Sequence, residues 1–160
     1  MSSWYLWVKW LHIVSSTVLL GTGAGIAFFF VRAVRSGDVR VIAAVSREVV
    51  LADGIFTATA VIVQPLTGLL LVMNAGFLLS SPWILASAGL YVLIGCCWLP
   101  VVWLQIQMRN VAVAAAASWS PLPPAFTRYY RWWFWLGWPA FLAILVIFYL
   151  MVAKPVPWDG

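Results

Sequence analysis

Charged side chains are scarce in this sequence. Only 8% of its 160 residues are Asp, Glu, Lys or Arg, and 65% are hydrophobic, whereas about a quarter of the residues in a soluble domain are usually charged. The mean hydropathy of +1.02 points the same way. This composition excludes a soluble globular domain and indicates an integral membrane protein.

Residues that commonly bind metals or carry protons are also few. The sequence has one His and two Cys, and a single histidine excludes a two-histidine cytochrome within one chain. Cys96 and Cys97 are adjacent, so on a helix they suit neither a structural disulfide nor a spaced zinc-binding pair. Two carboxylates in or near the spans, Glu48 and Asp53, are fewer than a proton or small-solute pathway would require.

Long hydrophobic runs account for nearly the whole chain. A bilayer core about 30 Å thick requires roughly 20 residues of helix, and the candidate spans are residues 4–31, 49–74, 83–106 and 129–153. These runs are much longer than the roughly 10-residue strands of an outer-membrane barrel. The sequence therefore predicts an all-α membrane protein, a single four-transmembrane-helix bundle over residues 1–160.

The basic residues predict the orientation of this bundle. Those in the first and third connections are Arg32, Arg35, Arg40, Arg47, Arg109, Arg128 and Arg131, and the second connection, "NAGFLLSSP", has no charge. The positive-inside rule then predicts both termini on the outer, periplasmic side of a bacterial inner membrane. The net charge of +5 reflects this topology, and no basic and aromatic stripe indicates a nucleic-acid partner.

Tryptophan is abundant, with 12 copies. Most lie near predicted span ends: Trp4, Trp7, Trp10, Trp83, Trp132, Trp133, Trp135 and Trp158. Indoles favour the headgroup region because the ring is apolar and its N–H is polar, so an interfacial belt is the main interpretation. Trp7, Trp10 and Trp98 could instead wall a flat cofactor.

Small residues and one proline suggest where helices approach each other. Gly21 and Gly25 have the G-x-x-x-G spacing that allows close approach of another helix, in the same chain or in a homodimer, or of a flat ligand. Pro65 is expected to kink the second span and leave a backbone carbonyl free.

Polar residues within the spans are the best candidates for a site, since each is costly to bury in lipid. His12 lies about 12 Å below the outer start of the first span, and Gln64 and Thr67 reach a similar level because the second span runs outward. The predicted pocket of the outer half consists of Lys9, His12, Ser16, Gln64 and Thr67. Spacing alone allows His12 to bond a neighbouring helix, bind haem iron, relay protons or act as a general base.

A second polar group is predicted in the inner half. Asp53 lies about one turn into the second span and needs a partner there, for which Arg32 or Arg35 is predicted. The alternative is that these arginines bind the carboxylates of an anionic substrate or cofactor.

Several stretches resemble a known family. The start "YLWVKWLHIVSS" and the Arg in "FFFVRAV" resemble the opening of the HemJ-type protoporphyrinogen IX oxidases, which are four-helix bacterial membrane proteins. "SREVVLADGIFTATAVIVQPLTGLLLV" and "FLAILVIFYLMVAKP" are similar to their second and last spans. The "LHI…GTG" and "QPLTG" stretches resemble still more closely a related group of predicted integral membrane proteins with a domain of unknown function.

The HemJ resemblance implies haem b as the cofactor, with His12 as the ligand of its iron. It also implies that Lys9 and Arg32 contact propionates or substrate, and that the protein is redox-active, as an oxidoreductase acting on a tetrapyrrole. The predicted pocket would add Ser16, Gln64 and Thr67 to the cofactor-binding residues. The alternative is a haem-free structural or helper subunit of a membrane complex. The partners expected are the lipid bilayer, haem, and a second copy or a redox partner in the membrane.

Overall fold

Four helical rods make up the computed structural model, which describes residues 3–155. The elements are α1 (Ser3–Ser36), α2 (Val39–Ala52), a π-helical turn (Asp53–Thr57), α3 (Ala58–Ala75), α4 (Pro82–Ala117) and α5 (Pro124–Ala153). The π turn joins α2 and α3 into one rod, Val39–Ala75, and all four rods are long and apolar enough to cross a membrane. The predicted all-helical architecture with four spans is confirmed. The orientation of the bundle, with both termini on the outer side of the membrane, stays a prediction.

The rods extend beyond the predicted spans, mainly at one end of the bundle. The second rod begins at Val39 rather than 49, and α4 continues to Ala117 rather than 106. Hydropathy falls where arginines begin, but arginine is a good helix former and does not end a helix. We call this end, which carries the seven arginines of the first and third connections, the arginine end, and the opposite end, with Ser3 and Ala153, the terminal end.

Short, capped connections join the rods at the arginine end. Gly37, with φ +70°, turns the chain after α1, and the Asp38 carboxylate accepts the backbone N–H groups of Arg40 and Val41 to cap α2. Residues 118–123 connect α4 to α5, and the Arg40 guanidinium lies 3.7 Å above the Trp119 ring. That cation–π contact ties this connection to the start of α2.

The best-packed core also lies at the arginine end. Phe30 of α1 meets Trp133 edge-on, with ring centroids 5.1 Å apart, and Met108 is completely buried beside them. Trp133 and Trp83 are only 6% and 7% exposed, so these two pack in the interior rather than in an interfacial belt. Trp158 lies outside the described residues.

Towards the terminal end the bundle opens. α1 packs mainly on the α2–α3 rod and α5 mainly on α4, whereas α1 and α5 scarcely touch. A cavity of about 350 Å³ lies between them. The aromatic pair of Phe30 and Trp133 lies at the arginine end of this gap.

Candidate functional site

His12 is bound to the second rod through both ring nitrogens. Its Nδ1 lies 2.9 Å from Thr67 Oγ1, and its Nε2 lies 3.3 Å from Gln64 Nε2. Buried Ser15 donates to Gln64 Oε1 and completes the group. The structure thus brings together three residues predicted for the outer pocket, His12, Gln64 and Thr67.

The hydrogen-bond network assigns the tautomer of this imidazole. Thr67 Oγ1 donates to the carbonyl of Val63 at 2.8 Å, so its lone pairs are free to accept the proton of His12 Nδ1. Nε2 is then the acceptor, and it faces the amide N–H of Gln64. In this arrangement His12 is neutral, and its two hydrogen bonds hold α1 against α3.

Other predicted pocket residues lie elsewhere. Ser16 is half-buried and donates to the carbonyl of Ile13 in its own helix, so Ser15 takes the place predicted for Ser16. Lys9 is exposed one turn nearer the terminal end. Arg32 is exposed near the arginine end, 20 residues along α1 from His12 and so about 30 Å away. A cofactor held by His12 would not reach Arg32.

The surroundings of His12 do not fit an axial ligand of haem. Its Nε2 is taken by Gln64, and a Cβ added at Gly68 would lie 3.2 Å from His12 Cε1, which means that α3 packs directly against the ring. A porphyrin would require the Gln64 side chain to leave. Haem b therefore stays a prediction from the resemblance, without support from this arrangement.

Tyr91 satisfies the carbonyl that a proline leaves free. Pro65 has no N–H to give to the carbonyl of Val61, four residues earlier, and the Tyr91 hydroxyl donates to that carbonyl from α4 at 2.6 Å. The freed carbonyl predicted for Pro65 is confirmed. This bond also links α3 to α4.

The cavity between α1 and α5 is lined almost entirely by apolar and small side chains. Gly23 and Ala27 line it from α1, and Gly137 and Ala140 line it from α5. The predicted contact residues Gly21 and Gly25 are not among them, and a Cβ added at either glycine would meet nothing within 4 Å of the described residues. A homodimer through those glycines stays a prediction.

One part of the cavity wall is polar. Asp53 and Thr57, both on the π turn, line it together with Trp98 and Gln105 of α4. The Trp98 indole N–H donates to both carboxylate oxygens of Asp53, at 3.1 and 3.3 Å. The partner of Asp53 is therefore an indole and not Arg32 or Arg35 as predicted, because both arginines lie on exposed faces of α1.

One buried polar atom in this wall lacks a partner. Gln105 is 3% exposed, and its Oε1 makes no hydrogen bond within the described residues, whereas the hydroxyl of Thr57, which is 6% exposed, lies beside the Asp53 carboxylate. An unsatisfied buried polar atom costs about 1–3 kcal/mol. Together with Asp53 and Trp98 they form what we call the polar wall: Asp53, Thr57, Trp98 and Gln105.

The described residues offer no cluster suited to a metal ion. Within residues 3–155, no three or more His, Cys, Asp or Glu side chains converge. Cys96 and Cys97 are free, the first exposed and the second buried. Among the residues predicted from the sequence, His12 is thus the single candidate for a metal ligand.

Comparison with known protein families shows which family the chain matches. Residues 6–155 match the family described as "Predicted integral membrane protein (DUF2269)". The chain belongs to the DUF2269 family. This match bears out the sequence resemblance to a group of predicted integral membrane proteins, and it does not link the chain to the HemJ-type oxidases. No curated protein and no solved structure matches it.

Both polar clusters of this DUF2269 protein lie inside the matched region. The sequence predicts the members of the cluster around His12 but not those of the polar wall. The levels of His12, Gln64 and Thr67 followed from helix rise and antiparallel direction. The sequence does not place Trp98 and Gln105 beside Asp53, because α4 is apolar on all sides and its sequence does not indicate which face turns inward. An available signal was the spacing of seven residues between them, which places both on one helix face.

Proposed function

We propose that this protein binds amphipathic small molecules that enter its cavity from the surrounding bilayer. The observation that carries the proposal is a single polar patch, formed by Asp53, Thr57, Trp98 and Gln105, in the wall of a cavity that is apolar elsewhere. Small-molecule sites are typically concave and mostly apolar, with a few polar groups that orient the ligand. A ligand head group would form hydrogen bonds with this polar patch.

The shape of the cavity supports a ligand with an alkyl or isoprenoid tail. Its lining is mostly large apolar side chains, and Gly23, Ala27 and Ala140 among them leave room for a chain of methylenes. Gly23 and Ala27 are also exposed, and α1 scarcely touches α5 here. In a membrane this opening faces lipid, so a ligand would enter sideways.

A cavity-filling variant tests the proposal. A Cβ added at Gly137 meets nothing within 4 Å, so Gly137→Leu would extend into the cavity without displacing backbone. Gly89→Leu is the matched control, because Gly89 is equally open, lies on α4 and does not line the cavity. The protein is reconstituted in phosphatidylcholine nanodiscs, and radiolabelled dodecanol, dodecylamine and dodecanoate serve as probes.

We expect saturable binding of at least one probe above that of empty nanodiscs, retained in Gly89→Leu and lost in Gly137→Leu. Absence of saturable binding for all three probes, or equal binding by Gly137→Leu and the wild type, would refute the proposal.

Haem binding through His12 has a separate test. The protein is purified after expression with ample haem, and the absorption spectra of the wild type and His12→Ala are compared. Because Gln64 and Thr67 take both ring nitrogens, we expect no Soret band that depends on His12. A Soret band in the wild type that His12→Ala removes would instead favour the haem protein and tetrapyrrole chemistry implied by the resemblance.

A further inference from the structure

We propose that the ligand's head group is a hydrogen-bond-donating cation, such as a primary ammonium on an apolar tail. This inference rests on the proposed function and adds the chemical class of the ligand. It follows from the kind of polar atoms in the polar wall, and from the charge of Asp53.

The polar wall offers two acceptor groups, the Asp53 carboxylate and the carbonyl of the Gln105 side chain, beside the donors of the Gln105 amide and the Thr57 hydroxyl. The Asp53 carboxylate has two oxygens, which can accept about four hydrogen bonds. The single N–H of Trp98 is shared between these two oxygens, so the carboxylate can accept further hydrogen bonds. Gln105 Oε1 accepts no hydrogen bond from any residue between 3 and 155. An ammonium group has three donors and no acceptor, so it matches this set, whereas a carboxylate head group has only acceptors.

The burial of Asp53 leads to the same class. Asp53 is 4% exposed, and it can be ionised there at low cost only when a cation pairs with it. The group bonded to it is a neutral indole, and Arg32 and Arg35 are exposed. A cationic head group would supply the missing positive charge through charge-assisted hydrogen bonds, which are the strong ones.

Two rods hold the residues of the polar wall in fixed positions. Asp53 and Thr57 are four residues apart, at the two ends of the π turn, and π turns inside α-helices often occur at functional sites. Trp98 and Gln105 lie two turns apart on α4. The head group is thus expected between the π turn and α4, with the tail running towards the gap between α1 and α5.

Competition among the three probes tests this class directly. In zwitterionic nanodiscs we expect dodecylamine to bind about tenfold or more tightly than dodecanol, because a hydrogen bond to a charged group contributes about 1.5–3 kcal/mol. Dodecanoate should bind most weakly. Asp53→Asn should reduce the preference for the amine over the alcohol to less than about twofold.

Glu48→Gln is the matched control, since Glu48 is an exposed carboxylate on the same rod and its loss should leave the preference intact. Equal affinities of the wild type for the amine and the alcohol, or a preference kept in Asp53→Asn, would overturn the inference while the cavity proposal stands. Failure of all three probes would instead remove the proposed function. If Asp53→Asn does not fold, the wild-type affinities alone test the inference: tighter binding of the amine than of the alcohol supports it, and equal affinities overturn it.

Discussion

At the scale of single residues, the sole histidine illustrates what a sequence can and cannot specify. Rise per residue and opposite chain directions were enough to place His12 level with Gln64 and Thr67, and the structure joins these three. Helix rise and chain direction do not indicate whether Ser15 or Ser16 faces the second rod. Neighbouring residues point about 100° apart, so the choice depends on how α1 is rotated against α3, which side-chain packing determines.

The tautomer of His12 is a prediction at this scale. We expect Nδ1 to carry the proton, because Thr67 Oγ1 uses its own proton on Val63 and is left as an acceptor. As the chain has one histidine, ¹⁵N-histidine labelling gives the signals of a single ring, and a ¹⁵N–¹H spectrum in detergent identifies the protonated nitrogen.

Thr67→Val should shift the population away from the Nδ1–H form, because it removes the acceptor. Thr59→Val is the control, since the Thr59 hydroxyl donates to Ile55 within its own rod. A wild-type ring protonated only at Nε2 would contradict the assignment and would mean that the Gln64 amide is turned the other way.

At the scale of elements, prolines inside helices require partners on neighbouring rods. The sequence identified Pro65 as a residue that frees a carbonyl, but not the group that would satisfy it. Tyr91 does so from α4, and nothing in the apolar α4 sequence indicates that this face turns towards α3. Within a bilayer the freed carbonyl has no water to bind, so such a bond fixes the rotation of one helix relative to another.

Tyr91→Phe tests this bond. We expect a loss of about 0.5–1.5 kcal/mol in the free energy of unfolding, measured by denaturation in mixed micelles, because the Val61 carbonyl loses its donor. In a Pro65→Ala background the same change should cost less, since the Ala N–H satisfies that carbonyl. An equal cost in both backgrounds would show that Tyr91 acts through packing and not through the carbonyl.

At the scale of the whole molecule, the bundle is closed at the arginine end and open between α1 and α5. Hydropathy predicted the four rods, yet it could not predict the cavity, because rods that are apolar on all sides give no preferred inward face. In lipid, helices associate through close packing and polar contacts rather than through hydrophobic burial. Stability should therefore be concentrated where side chains interlock, around Phe30, Met108 and Trp133.

Two methionines allow that distribution to be measured. Met108 is 0% exposed, whereas Met73 on α3 is 65% exposed. We expect Met108→Ala to lower the free energy of unfolding by about 2 kcal/mol or more, because it leaves a void in a packed core. Met73→Ala should have little effect, since lipid replaces the lost contacts. Equal losses for the two variants would mean that the tight packing at the arginine end does not dominate stability.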